Sequence, residues 1–385
     1  MSADIPDPVA LSSVKELHAW PTPYQAPPAG DDLFVDAMRQ ITAWHRERNP
    51  FYARLAADCD LESVRTVADC ARIPFVPATF FKRHELLSIP REQIHLHVTS
   101  SGTTGQKSQM FYDAWSVDCT FGILDRIFGQ FGWVSSTPAS YLLFTYESDP
   151  TDHLGTAYTD YYMTRYAPAD EIFAALRKTS ADGSGHEFDA FGTIEALDRF
   201  LRRGLPVRIF GFPSFLWFTM ERRRSLDLPP LRLPEGSLVV TGGGWKGYAD
   251  QEVSKAEVIR RTEEELGIPS SRFSDFYGTV EHGVPYLDCP RHQLHIPIYT
   301  RALVRDPRNL ALRGWGERGI LQFLAPYNTS SPAHCLLTGD WASVHPAEEC
   351  GCGLKTPYLV LHGRAGRTRN RSCAIAASEL LRGRT

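Results

Sequence analysis

Residues 98–108 read Val98-Thr99-Ser100-Ser101-Gly102-Thr103-Thr104-Gly105-Gln106-Lys107-Ser108, a short stretch that crowds together hydroxyls, two glycines and one lysine. Glycine tolerates backbone angles that bring N–H groups close to an anion. The hydroxyls of Ser100, Ser101, Thr103 and Thr104 add donors, and Lys107 adds charge. The pattern predicts a loop that holds phosphates. Apolar alternation in Ile94-His95-Leu96-His97-Val98 before it, and Met110-Phe111-Tyr112 after it, places the loop between two strands. A Walker loop instead opens a helix with the spacing G-x-x-x-x-G-K-[ST], and no helix pattern follows here. Taken alone, the segment also reads as a polar hairpin turn.

At 385 residues the chain exceeds one ordinary domain, since a domain takes about 100–200 residues, so two or three compact units are expected. The formal charge of -4 and the lack of any Lys/Arg-rich block argue against a dedicated nucleic-acid binder. The N-terminus shows no basic stretch followed by an apolar one, and no run of about eighteen apolar residues occurs, so no membrane span is expected. Eight cysteines in a chain of this length fit a reducing compartment. A cytoplasmic protein is the expectation.

Along the chain, a short helix near Leu11 to Trp20 and a Pro-rich segment precede a helical stretch from Asp31 to Ala57. Strand-like runs at Tyr141–Thr145, Val207–Phe212, Ser237–Thr241 and Phe273–Phe276 then alternate with helical ones, which is an α/β pattern. The clearest helix is expected over Asp250–Leu266, ended by Gly267 and Pro269. Thr179 to Glu187 reads as a surface loop.

Three further clusters carry chemistry. Gly242, Gly243 and Gly244 follow an apolar strand and would let a planar ligand lie against bare backbone. Tyr277-Gly278-Thr279-Val280-Glu281 sets an aromatic ring, a hydroxyl and a carboxylate at a strand end, and a carboxylate together with substrate phosphates suits Mg²⁺. Leu337-Thr338-Gly339-Asp340 places an acid after a tight turn, suited to gripping a diol. Each cluster alone also fits an ordinary β-turn.

Four such clusters in this order resemble the adenylate-forming superfamily of acyl-CoA synthetases, peptide-synthetase adenylation domains and firefly luciferase, over roughly residues 94 to 367. The resemblance implies an α/β fold of helix-flanked sheets with a small distorted β-barrel. It implies that ATP phosphates are held by Ser101, Gly102, Thr103, Thr104, Gly105 and Lys107, and that Gly242, Gly243 and Gly244 form an adenine platform. Tyr277, with Gly278 beside it, would stack near adenine, Thr279 would touch the α-phosphate, and Glu281 would hold Mg²⁺. Asp340 would bind the ribose hydroxyls, with Arg364 beside them.

Two features depart from that pattern. The family's loop reads G-x-P-K, whereas Gly105-Gln106-Lys107 brings the lysine one position early. Arg364 is followed by twenty-one residues and no lysine follows Lys355, so the family's full C-terminal domain is not expected. This reading divides the chain into a mainly helical lead-in over 1–93, an adenylate-forming core over 94–362 and a short tail over 363–385.

That brevity, together with the 98–108 loop and Phe210-Gly211-Phe212-Pro213-Ser214, is similar to the LuxE-type acyl-protein synthetases. In that branch the acyl group passes from AMP to a cysteine near the C-terminus and then to a reductase subunit. Cys373 is the residue the resemblance assigns, and Arg369 and Arg371 would lower its pKa. An ordinary packed tail cysteine is the alternative. The expected reaction is ATP-dependent activation of a carboxylic acid, a fatty acid by the resemblance, for delivery to an acyl reductase. Transfer to coenzyme A or an amine, and a binding protein without turnover, are the competing readings.

Cys350-Gly351-Cys352 brings two thiols within reach of one metal, and Cys289 with His292 or His295 would complete a structural zinc site. Phenylacetate-CoA ligases resemble the chain in having cysteine-rich segments at these two places. Free buried cysteines are the alternative. Phe210, Phe212, Phe215, Trp217 and Trp245 are candidates for an acyl pocket, or equally for core.

Overall fold

The structure, a computed structural model, describes residues 3–99, 108–146, 162–179, 186–245, 248 and 250–365. The described residues form two units, the first comprising those up to 131 and those from 278 onward, the second those from 132 to 277.

The first unit opens with helices Ser12–Ala19, Gly30–Arg48 and Pro50–Leu55. In the second of these, Phe34, Met38, Ile41 and His45 recur at three- and four-residue spacing on the buried face. The helix expected over 31–57 is divided at Asn49, because the residue before a proline is pushed out of the helical region. Asn49 takes φ -119° and ψ 108°, and its side chain accepts the Tyr52 N–H to start the next helix.

Strands β1 (Val76–Pro77), β2 (Leu96–Thr99) and β3 (Gln109–Tyr112) follow. β2 and β3 pair antiparallel, with Leu96 opposite Tyr112 and Thr99 opposite Gln109, so the flanks of the 98–108 stretch are the two strands expected. Residues 100–107 themselves lie outside the described residues. β3 runs into helix Ala114–Gln130, which Asp113 caps by accepting the Ser116 N–H.

The second unit holds β4 (Ala139–Tyr146), β5 (Ala169–Lys178), β6 (His186–Phe188), β7 (Val207–Gly211), β8 (Leu238–Gly242) and β9 (Phe273–Tyr277). They lie in the order β9-β8-β7-β4-β5-β6. All neighbours are parallel except the antiparallel β5–β6 pair. A parallel sheet needs crossovers, and helices Ala190–Arg203, Pro213–Ser225 and Lys255–Leu266 supply them. Leu142, Phe144, Ile209 and Val239 from the strands pack with Leu197, Phe200, Leu216 and Val258 from the helices in one core. Gly211 has φ 125°, and a Cβ there would lie 2.4 Å from the Phe144 carbonyl oxygen.

Two further segments differ from the sequence expectation. The helix expected from Asp250 begins at Lys255, because Ser254 accepts the Glu257 N–H and so sets the first turn, while Gly267 at φ 72° ends it as expected. The loop expected over 179–187 gives way to strand at His186, where β6 pairs with the β5 edge and Lys178 faces His186.

The chain then returns to the first unit as β10 (Tyr286–Leu287), β11 (Leu294–His295), β12 (Arg301–Arg305), β13 (Gly319–Leu324), β14 (Cys335–His345) and β15 (Tyr358–Arg364). The order β11-β15-β14-β13-β12 is antiparallel throughout, with β1 added parallel to β14. Among the described residues no helix is long and apolar enough to cross a membrane.

Candidate functional site

In the second unit, β8 and β9 end side by side, with Thr241 opposite Asp275 and Gly242 opposite Phe276. The Thr241 hydroxyl donates to the Asp275 carboxylate at 3.0 Å, tying the two ends together. The crevice beyond the carboxyl ends of parallel strands is the general ligand position of open α/β sheets. Gly242, Gly243 and Gly244 stand at that end. Gly243 and Gly244 have φ 75° and 69°, angles that a side chain rarely adopts. A Cβ at Gly242 would come within 3.2 Å of Phe276, whereas one at Gly244 would meet nothing within 4 Å among the described residues. Gly242 thus permits close approach of β9, and Gly244 leaves its backbone open to a ligand. Tyr277, half-buried, closes β9.

The aromatics weighed for an acyl pocket are placed mainly in packing. Phe212, Phe215 and Trp245 belong to the core of the second unit, and Trp217 packs against it. Phe210 is buried and stacks on Tyr141 with centroids 6.1 Å apart.

In the first unit, Thr279 to Gly283 form a tight turn in which the His282 and Gly283 N–H groups donate to the Thr279 carbonyl at 3.1 and 2.9 Å. Glu281 on this turn is buried, with 6% of its surface exposed. Two tyrosines hold the turn: Tyr112 donates to the Val280 carbonyl at 2.5 Å and Tyr327 to the His282 carbonyl at 2.7 Å. Gly283, at φ 71°, makes room for them, because a Cβ would lie 2.0 Å from the Tyr327 oxygen. His282 stacks on Phe323, and its Nε2 shares a 2.7 Å hydrogen bond with the Tyr286 hydroxyl. Burial pushes its pKa down to about 3, so the ring is neutral.

Also in the first unit, Asp340 on β14 is the register partner of Arg364 on β15. Arg364 Nε stands 3.5 Å from Asp340 Oδ1, with the acid 13% and the arginine 61% exposed. The β14–β15 pairing shifts register between Asp340 and Ala342, an irregularity that interrupts the ladder next to the acid. Asp340 also donates its N–H to the Thr338 hydroxyl at 3.1 Å.

The four candidate zinc ligands come together: Cys289, His295, Cys350 and Cys352 have their ligand atoms all within 4.8 Å of one another. His292, the alternative ligand, instead turns Nδ1 toward Asp288 at 3.8 Å. Ser101, Gly102, Thr103, Thr104, Gly105 and Lys107 lie outside the described residues, as does Cys373.

Tyr112, Tyr327 and Gly283 escaped the sequence reading, since nothing in their spacing links positions so far apart. A buried network around Asp113 escaped it too. Asp113 donates its N–H to Ser330 at 2.6 Å and accepts the Thr329 hydroxyl, fixing the exit of β3. The only sequence signal was Asp113 standing just before a helical run.

The family model for acyl-protein synthetase, LuxE, matches residues 32–382. A long-chain-fatty-acid--luciferin-component ligase from Vibrio harveyi is 23% identical, over 87% of this chain and 85% of its own. The ligase of the same name from Aliivibrio fischeri is 22% identical, over 89% and 87%. Among solved structures, 2-hydroxyisobutyryl-CoA ligase in its postadenylation state superposes with a TM-score of 0.67 at 18% identity, over 89% of this chain and 69% of that one. The fold is therefore that of the adenylate-forming ligases.

Proposed function

Because the chain belongs to the LuxE acyl-protein synthetase family and is a ligase, we propose that it activates a long-chain fatty acid with ATP and carries the acyl group on Cys373. The single observation that carries this reading is the family match across residues 32–382, which includes Cys373.

The chemistry runs in two balanced steps. A carboxylate oxygen attacks the α-phosphorus of ATP, the bond to the β-phosphate bridging oxygen breaks, and acyl-AMP and pyrophosphate result. The Cys373 thiolate then attacks the acyl carbonyl carbon, AMP leaves, and a thioester remains. The carboxylate is already ionised at neutral pH, so the first step needs no general base. It needs stabilisation of the negative charge that builds on the phosphates.

The residue roles are those the family resemblance implies. Ser101, Gly102, Thr103, Thr104, Gly105 and Lys107 supply donors and charge to the phosphates. Gly242, Gly243, Gly244, Tyr277 and Gly278 receive the adenine, where the open backbone at Gly244 supports the assignment. Thr279 donates to the α-phosphate. Asp340 accepts the ribose hydroxyls, with Arg364 orienting its carboxylate. Glu281 suits Mg²⁺, an oxygen-seeking ion that takes one or two carboxylates plus phosphates and would supply charge neutralisation. An acyl reductase in the same cytoplasmic compartment is the partner that would consume the thioester.

The test is intact mass after incubation with Mg-ATP and a mixture of fatty and aromatic acids, beside a Cys373→Ser control. A hydroxylamine-labile adduct on the unmodified protein alone is expected, and its mass names the acid. Pyrophosphate release without an adduct would replace Cys373 by coenzyme A or an amine as acceptor. Neither signal with any acid would leave a nucleotide-binding protein without turnover.

A further inference from the structure

We propose that Cys289, His295, Cys350 and Cys352 bind one Zn²⁺ ion, and that this ion acts as a clamp holding β11 in register on β15. The ligands come from three places in the first unit. Cys289 stands in the turn after β10, His295 on β11, and Cys350 and Cys352 in the 346–357 segment that leads from β14 into β15.

The distances suit zinc. Cys289 Sγ lies 3.6 Å from Cys350 Sγ, and Cys352 Sγ lies 3.2 Å from His295 Nε2. A tetrahedral ion with Zn–S bonds of about 2.3 Å and a Zn–N bond of about 2.0 Å sets such ligand atoms about 3.5–3.8 Å apart. A disulfide requires about 2.05 Å between sulfurs, so the thiols are not joined to each other. Three soft thiolates and one imidazole favour zinc over oxygen-seeking Mg²⁺.

The surroundings of the ligands point the same way. His295 Nδ1 lies 2.7 Å from the Thr356 carbonyl oxygen. A carbonyl only accepts, so the ring proton sits on Nδ1 and the Nε2 lone pair is left facing Cys352. The Arg291 N–H donates to Cys289 Sγ at 3.3 Å, a contact that stabilises a thiolate. The turns are shaped to present the sulfurs: His292 takes φ 59°, and Gly351 and Gly353 take 69° and 93°. His295 and Cys289 are buried, which limits exchange of the ion with solvent.

The clamp follows from topology. β11 offers β15 two register pairs, Leu294 with Leu359 and His295 with Tyr358. β15 is held on its other side by five pairs with β14, but two residues of pairing hold β11 weakly, and a slip of β11 by one residue would turn Leu294 and His295 to the opposite faces. Binding His295 and the lead-in to β15 on one ion removes that freedom. Four protein ligands leave no open position, so the ion takes no part in bond making.

The full chain, expressed with zinc supplementation, is expected to hold about one zinc per molecule by elemental analysis. Co²⁺ in its place should give the visible bands and thiolate charge-transfer absorption of a tetrahedral thiolate site. Cys352→Ser should lose both signals, Cys59→Ser should keep them, and His295→Cys, with four thiolates, should retain metal. Hydrogen exchange with and without a chelator tests the clamp, with faster exchange expected at 294–298 and 350–364 and none over 207–242. Metal-free protein with no cobalt spectrum would overturn the site. Bound zinc with unchanged exchange at β11 and β15 would overturn the clamp. No readout uses ATP, so failure of the adenylation reading leaves all of them standing.

Discussion

Asp340 and Arg364 face each other across β14 and β15, 3.5 Å apart, with the acid turned inward and the arginine exposed. An ion pair with so exposed a partner contributes at most about 1 kcal/mol to stability. The arrangement is better suited to aiming the carboxylate than to holding the sheet. Asp340→Ala should therefore raise the KM for ATP by about tenfold or more, since a diol acceptor in a ligand site is worth about 1–3 kcal/mol. Thermal unfolding should shift little. Pyrophosphate exchange against ATP concentration measures the first, and an unchanged KM would remove Asp340 from the nucleotide site.

Gly283 is the point where the turn bearing Thr279 and Glu281 meets its two supporting tyrosines. A Cβ there would lie 2.0 Å from the Tyr327 oxygen and 3.0 Å from that of Tyr112. Gly283→Ala should cost about 1–3 kcal/mol by crowding and by its positive φ. Tyr327→Phe leaves the His282 carbonyl without its donor and should cost about 1–3 kcal/mol without crowding. Both should lower kcat for adenylation. Full activity in both variants would show that the turn needs no such support.

Acid should destabilise the protein sooner than its carboxylates alone require. Burial pushes His18, His45 and His282 down to about 3, and His334 falls well below its ordinary value. All four are neutral in the fold, while in the unfolded chain they take up protons near pH 6.5. Below that pH the unfolded state binds protons the folded state cannot, so stability falls as pH falls from about 6.5 toward 3. Each ring contributes up to about 1.4 kcal/mol per pH unit over that window. Urea midpoints at pH 7.5, 6.5 and 5.5 should fall modestly between the first two and more steeply by the third. A level midpoint down to pH 5.5 would contradict the burial of these rings.

Gly211, at the end of β7, has no room for a side chain: a Cβ would meet the Phe144 carbonyl at 2.4 Å, at φ 125°. Gly211→Ala should destabilise the second unit by about 2–4 kcal/mol, combining overpacking with backbone strain. Gly244→Ala strains the backbone too but meets nothing within 4 Å among the described residues, so it should cost less. The difference between the two unfolding midpoints is the check, and equal midpoints would contradict the packing at Gly211.

The parallel strands of the second unit were legible because burial on both faces makes them near-continuous apolar runs, as in Leu238-Val239-Val240. Helix limits were less legible, since hydrophobic period marks where a helix packs and not where it starts. Ser254 and Asn49 decide the starts by local hydrogen bonds. Lys107, Asp340 and Cys350 stand out in the sequence as candidates for phosphate, diol and metal because each chemistry accepts few side chains, and their roles belong to the proposals above.

The sequence by itself determined the alternation of strands and helices, the glycine clusters and the inventory of ligands, all of which depend on neighbours along the chain. Tertiary structure decided which distant groups meet. Between His292 and His295 the spacing left an open choice, and the fold closed it. Thr356, sixty-one residues from His295, takes the ring proton on Nδ1 and aims Nε2 at Cys352, while His292 turns toward Asp288. The grip of Tyr112 and Tyr327 on the turn after Thr279 was hidden for the same reason. A hydrogen bond has a reach of about 3 Å, and only folding brings residues so far apart along the chain within it.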